Sequence, residues 1–198
     1  MKNLKKLVLS GMFLALGIVL PFVTGQIPQI GSMLCPMHIP VLLCGFICGW
    51  QYGLVVGLIV PVLRSMMFGM PPMFPTATAM AFELMTYGFL AGFLYEHSRW
   101  QCVKALYRCL VLAMIGGRIE WGATMMILLC VSVGAFTFQA FLAGALLNAI
   151  PGIALQLVLI PVIMVSLDKA GIKRFTVNTA QAQEMVFPLW KHFFQALM

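Results

Sequence analysis

Glu83, Arg118 and Glu120 each stand inside a long hydrophobic run, where an apolar chain has least reason to carry them. A charge in a hydrocarbon interior is costly. Each therefore marks either a structural ion pair between helices or a group that handles a polar ligand. At helical spacing Glu83 shares a face with Met80 and Tyr87, and Arg118 shares one with Met114, Trp121 and Met125. Glu120 is two residues from Arg118 and points away from it, so the rival partners for the guanidinium are Glu83 and a ligand anion. A guanidinium in apolar and aromatic surroundings suits a carboxylate, through charge-assisted and bidentate hydrogen bonds. Asn148 and Gln156 bring amides from a third apolar run. They fit either a hydrogen bond to a neighbouring helix or the same ligand.

Further binding groups lie around this core. Met66, Met67, Met70 and Met73 surround Phe68 and Phe74 in a loop with three prolines, Pro71, Pro72 and Pro75. Thioethers and rings make an adaptable apolar surface for a flat or flexible organic molecule. Arg64 ends the helix before that loop. Cys35-Pro-Met-His38 lies near methionines and has the softness of a metal site. Met37-His38-Ile39-Pro40 also resembles the amino terminus of cobalt and nickel uptake proteins, where the motif works by beginning the chain; here it is internal. No second histidine joins it, since His97 and His192 fall in cytoplasmic segments, so His38 is assigned to substrate rather than to metal. No phosphate-binding loop, Gly-x-Ser-x-Gly elbow or His and Asp pair appears. The chain is read as no enzyme and as needing no cofactor.

The elements that position these groups are membrane helices. The chain has 198 residues, 62% hydrophobic and 9% charged, with a mean hydropathy of +1.02. A soluble domain of this size has too little interior to hide that surface, and the runs are long enough for helices rather than barrel strands. The formal net charge of +7 sits at helix ends, which is anchoring to the cytoplasmic face and not a nucleic-acid patch. The six cysteines lie mostly in apolar runs and behave as small hydrophobes. The amino-terminal apolar stretch lacks a small-x-small cleavage site and is read as the first span.

Between Met37 and Tyr95, Gly45, Gly49, Gly53 and Gly57 recur at every fourth residue. That ladder leaves a flat strip on which another backbone comes close. A break at Trp50 to Tyr52 turns the run into a hairpin and gives six spans. Lys2, Lys5, Lys6, Arg99, Lys104, Arg108, Lys169, Lys173 and Arg174 then all face the cytoplasm, and Arg64 lies toward the outside. An unbroken run gives five spans and puts six of these nine outside. The first arm, His38 to Trp50, covers only ~20 Å against a ~30 Å hydrocarbon core. Either it begins near Ile30, bent by Pro36 and Pro40, or the hairpin dips incompletely and leaves a dish open to the outside. The expected fold is therefore an all-α integral membrane bundle of six transmembrane helices over 1–170. A tail over 171–198 follows, with Val186, Leu189, Trp190, Phe193 and Leu197 on one side of an interfacial helix.

With this layout the chain resembles the S component, the substrate-binding subunit, of an energy-coupling factor (ECF) vitamin transporter. The resemblance rests on Gly11-x-x-x-Ala15 in span one and on Pro40 with the glycine ladder. It also rests on Phe74-Pro75 leading to Glu83 and Tyr87, on Gly117-Arg118, and on Pro151-Gly152 before Gln156. It implies a subunit of a prokaryotic plasma membrane with both termini cytoplasmic. Such a subunit captures a water-soluble vitamin near the outer face, then topples against a T component powered by two cytoplasmic ATPase subunits. It implies that Gly11 and Ala15 dock the T component, although the family pattern starts with alanine where Gly11 stands. Substrate contacts are expected from His38, Arg64, Phe74, Glu83, Tyr87, Arg118, Trp121, Asn148 and Gln156. The carboxylate argument favours a pantothenate-like or folate-like molecule over riboflavin. The competing readings are a stand-alone secondary transporter, against which the lack of inverted repeats counts, and a cobalt or nickel uptake subunit.

Overall fold

The computed structural model describes residues 2–23, 36–98, 102–132 and 150–169. Its helices are α1 (Lys2–Val23), α2 (His38–Cys48), α3 (Trp50–Phe68), α4 (Thr78–Glu96), α5 (Val103–Ser132) and α6 (Ile150–Lys169), and no strand occurs among the described residues. An irregular turn over Met73–Ala77 leads into α4. Five helices, α1, α3, α4, α5 and α6, are long and apolar enough to cross a membrane. The remaining one, α2, has 11 residues, about 16 Å of helix, and is too short to cross alone. Its first residue is His38, and the alternative start of the arm near Ile30 lies outside the described residues. The loop over 24–37 lies outside the described residues up to 35, as do the loop after Ser132, the start of the last span and the tail.

The hairpin forms, but its break is at Gly49 and not at Trp50 to Tyr52. Gly49 has φ 107° and ψ 167°, a backbone conformation that glycine adopts without a Cβ penalty. Trp50, Gln51 and Tyr52 follow as the first turn of α3. Bulky and polar side chains there mark the end of the bilayer-facing run without breaking the helix.

The glycine ladder does what its spacing predicts at three of its four positions. A Cβ on Gly45 would stand 2.6 Å from the Gly88 carbonyl oxygen, and one on Gly53 2.6 Å from that same oxygen and 2.7 Å from the Gly45 Cα. Gly57 lies equally tight against the backbone of Leu84 and Met85. Two glycines of α4, Gly88 and Gly92, complete the seam, Gly92 against the backbone of Trp50 and Gly45. Three backbones therefore converge where side chains are missing. The result places α4 at the centre, packed on α2, α3 and α5, while α1 lies against the hairpin and α6 against α2 and α5. Val41, Leu42, Val60, Leu84, Ala91, Leu110 and Ile160 fill the interior. Leu4, Leu7, Val8, Met12, Leu16 and Val19 cover the exposed side of α1, as befits a helix in contact with lipid.

Candidate functional site

The prolines set the start of α2. Pro36 and Met37 turn the chain into the helix, and Pro40 falls in its first turn, where a missing N–H costs no hydrogen bond. His38 is consequently the first helical residue, and the shortness of α2 brings it to the depth of Glu83. Glu83 lies five residues into α4, about 8 Å below its start. Arg118 sits midway along α5.

These three side chains meet. Arg118 Nη1 lies 3.2 Å from Glu83 Oε1, and His38 Nε2 lies 3.4 Å from the same oxygen. His38 and Glu83 are 1% and 2% exposed at the side chain, whereas Arg118 keeps 15%. One carboxylate oxygen thus faces a guanidinium and an imidazole at once, within reach of both but without tight hydrogen-bond geometry. The Tyr87 ring packs edge-on to His38, centroids 5.1 Å apart. On its other side Gly117 makes room for that ring, since a Cβ there would stand 2.9 Å from it. Tyr87 is therefore wedged between the histidine and the backbone beside Arg118.

Other expected site residues are placed differently. Arg64 is 4% exposed and turns to α1: its Nη1 donates to the Ile18 carbonyl at 2.8 Å. Its guanidinium lies over the rings of Phe22 and Phe68, at 5.1 and 5.7 Å from their centroids. These contacts pin α1 to α3 and do not join Arg64 to Glu83. Phe74 is 54% exposed in the Met-rich turn, as are Met66, Met67, Met70 and Met73 to similar degrees. That turn is tied down by Ser65 Oγ donating to the Pro71 carbonyl at 2.7 Å and by Thr78 Oγ1 donating to the Met73 carbonyl at 2.8 Å. Trp121 is half-buried one turn beyond Arg118. Gln156 is buried on α6, the helix that packs on the carriers of His38 and Arg118. Asn148 lies outside the described residues. Glu120 faces away from the cluster and accepts a hydrogen bond from Thr124 Oγ1 at 3.3 Å.

The cluster differs from the sequence reading mainly at His38. Contact between Glu83 and Arg118 is one of the two arrangements that the sequence leaves open, the other being a ligand anion on Arg118. The histidine joins them because of where α2 begins, and the signal for that start is Pro36 and Pro40 around it. Cys35, the other half of the soft-metal motif, is outside the described residues. Among the described residues no group of three His, Cys, Asp or Glu side chains gathers where a metal could bind. A separate polar hollow of about 180 Å³ lies at the other end of the hairpin, lined by Asn3, Lys6, Trp50, Gln51 and Glu96 among others.

Gly11 and Ala15 are exposed on α1, and a Cβ on Gly11 would meet nothing within 4 Å. The small-residue face of α1 is thus turned out of the bundle at both positions. Neither a curated protein nor a solved structure gives a significant match to the chain. The family model of the ECF transporter substrate-specific component matches residues 5–164, the length that holds every described helix but the first residues of α1 and the end of α6. This membrane protein belongs to that family of transporter subunits.

Proposed function

We propose that the chain is the subunit that selects the substrate of an ECF importer, and that its substrate is a vitamin-sized carboxylate bound at Arg118. The observation that carries this reading is the buried contact of Arg118 with Glu83 and His38. A membrane protein keeps such a cluster at the cost of desolvating it. The partly exposed guanidinium is the member an arriving anion reaches. Tyr87, Trp121 and the Met-rich turn supply apolar and aromatic surface around it, with Phe74, Gln156 and Asn148 as further contacts, while Arg64 is spent on α1. His38 and Glu83 complete the site.

In this reading both termini are cytoplasmic, the 1–170 unit lies in the membrane, the 171–198 tail lies at the cytoplasmic interface, and the Met-rich turn faces outward. Such subunits work with a T component and ATPases, and the outward-turned Gly11 and Ala15 supply a surface on which the T component's backbone can approach. Pantothenate-like and folate-like molecules fit the carboxylate preference better than riboflavin.

Purification of the tagged chain from its native membrane tests the assembly and the ligand together. The expected result is co-purification of a T component and two ATPases, with mass spectrometry finding a retained carboxylate-bearing vitamin. Recovery of the chain alone with transport intact would overturn the assembly. A retained neutral vitamin would overturn the carboxylate.

A further inference from the structure

We propose that the His38–Glu83 pair takes up one proton when a carboxylate occupies Arg118, so that substrate and proton are bound together. The proposal rests on the carboxylate reading above and adds a second bound species to it.

The charge inventory of the bundle interior is short. From Leu7 to Tyr95 the residues that can carry charge near neutral pH are His38, Arg64 and Glu83; from Cys109 to Leu167 they are Arg118 and Glu120. Residues 24–35 and 133–149 contain no acid, no Lys or Arg and no His, so no charge from those segments enters the balance. Arg64 is engaged with α1, and Glu120 lies on another face of α5 with Thr124. Around His38 this leaves Glu83 and Tyr87 from α4 and Arg118 from α5. The helix α6 offers Gln156, which does not titrate, and α1 and α3 bring no further charge to this depth.

In the empty cluster the guanidinium and carboxylate charges cancel, and the imidazole stands beside them. An arriving carboxylate upsets that balance. If it takes Arg118, two carboxylates face one guanidinium, and the interior holds an uncompensated negative charge. Leaving a buried charge without its partner is among the larger penalties known in proteins. A proton on the pair restores neutrality.

The geometry gives the proton a place. His38 Nε2 and Arg118 Nη1 address the same oxygen, Glu83 Oε1. When the guanidinium turns to the ligand, that oxygen keeps the imidazole as its partner and the contact becomes an imidazolium–carboxylate pair. His38 Nδ1 is buried and has no hydrogen-bond partner among the described residues. As an N–H it gains a use, since it can donate to an oxygen of the incoming anion. The proton enters from solvent and no covalent bond changes.

The test is titration calorimetry on the full chain in detergent, with pantothenate and folate as carboxylate probes and riboflavin as the neutral one. Each titration is run at one pH in buffers of different ionisation enthalpy. For a bound carboxylate the heat should vary with the buffer and report about one proton taken up. The Kd should rise by about tenfold per pH unit across the window in which that uptake occurs, because the bound state holds the extra proton. His38→Gln and Glu83→Gln should each lose the buffer dependence. A carboxylate that binds with no buffer dependence overturns the proton and leaves the carboxylate reading standing. Full uptake in both variants overturns the assignment to the pair. Binding of riboflavin alone, or of none of the three, overturns the carboxylate reading and the proposal with it. The buffer series on the parent chain decides the proton even if a variant fails to fold.

Discussion

Arg118 carries the specificity argument because it is the one member of its cluster with accessible surface. Its fork of donors suits a carboxylate in a way a lysine ammonium does not. Arg118→Lys should therefore keep the charge and weaken binding of the carboxylate substrate substantially. Arg118→Ala should cost about 2–5 kcal/mol, because Glu83 and the ligand anion would both lose their partner. Calorimetry on the purified variants reads both; unchanged affinity would make the ion pair structural. Gly117 supplies a second test at this scale. A Cβ there intrudes on the Tyr87 ring, and buried overpacking typically costs about 1–3 kcal/mol. Gly117→Ala should displace Tyr87 from His38 and lower affinity more than it lowers melting temperature. An unchanged affinity would show that the Tyr87 position is immaterial to the site.

At the scale of elements, α2, α3 and α4 are held by missing side chains. The ladder was legible because small residues at every fourth position can only mean a flat helix face. Its partner face is carried by Gly88 and Gly92, also four apart, but two glycines give a shorter strip than the four of the ladder. The position of the hairpin break was misread for another reason. Trp50, Gln51 and Tyr52 look like an interruption of a hydrophobic run, yet only Gly49 has the backbone freedom to turn the chain. Residue depth and spacing narrowed the partners of Arg118 to Glu83 or a ligand anion, whereas the His38 contact depends on the length of α2, which no local pattern states. The seam predicts a sharp contrast between glycines. Gly53→Ala and Gly88→Ala should each lower the melting temperature in detergent markedly, because backbone atoms block the new methyl group. Gly11→Ala meets nothing within 4 Å and should leave it unchanged. Equal effects at all three positions would mean that the close approach does not hold the bundle together.

At the scale of the whole molecule, the exposed side of α1 is apolar from Leu7 onward, and lipid alone satisfies it. Gly11 and Ala15 are different, because small residues leave lipid chains no better packed while allowing a helix backbone to come close. Ser10, next to them, is buried and bonded to the Leu7 carbonyl at 2.7 Å. Ser10, Phe13 and Gly17 thus mark the buried side of α1, and Gly11 and Ala15 lie on the exposed side. If this surface docks the T component, its loss should separate two properties that a folding defect would lose together. Gly11→Leu with Ala15→Leu should abolish uptake in cells and prevent co-purification of the T component. The melting temperature and ligand affinity of the isolated subunit should stay at parental values, since both positions are exposed and neither supports another helix. Loss of binding along with uptake would place the two residues in internal packing. Uptake at the parental rate would move the docking surface elsewhere on the bundle.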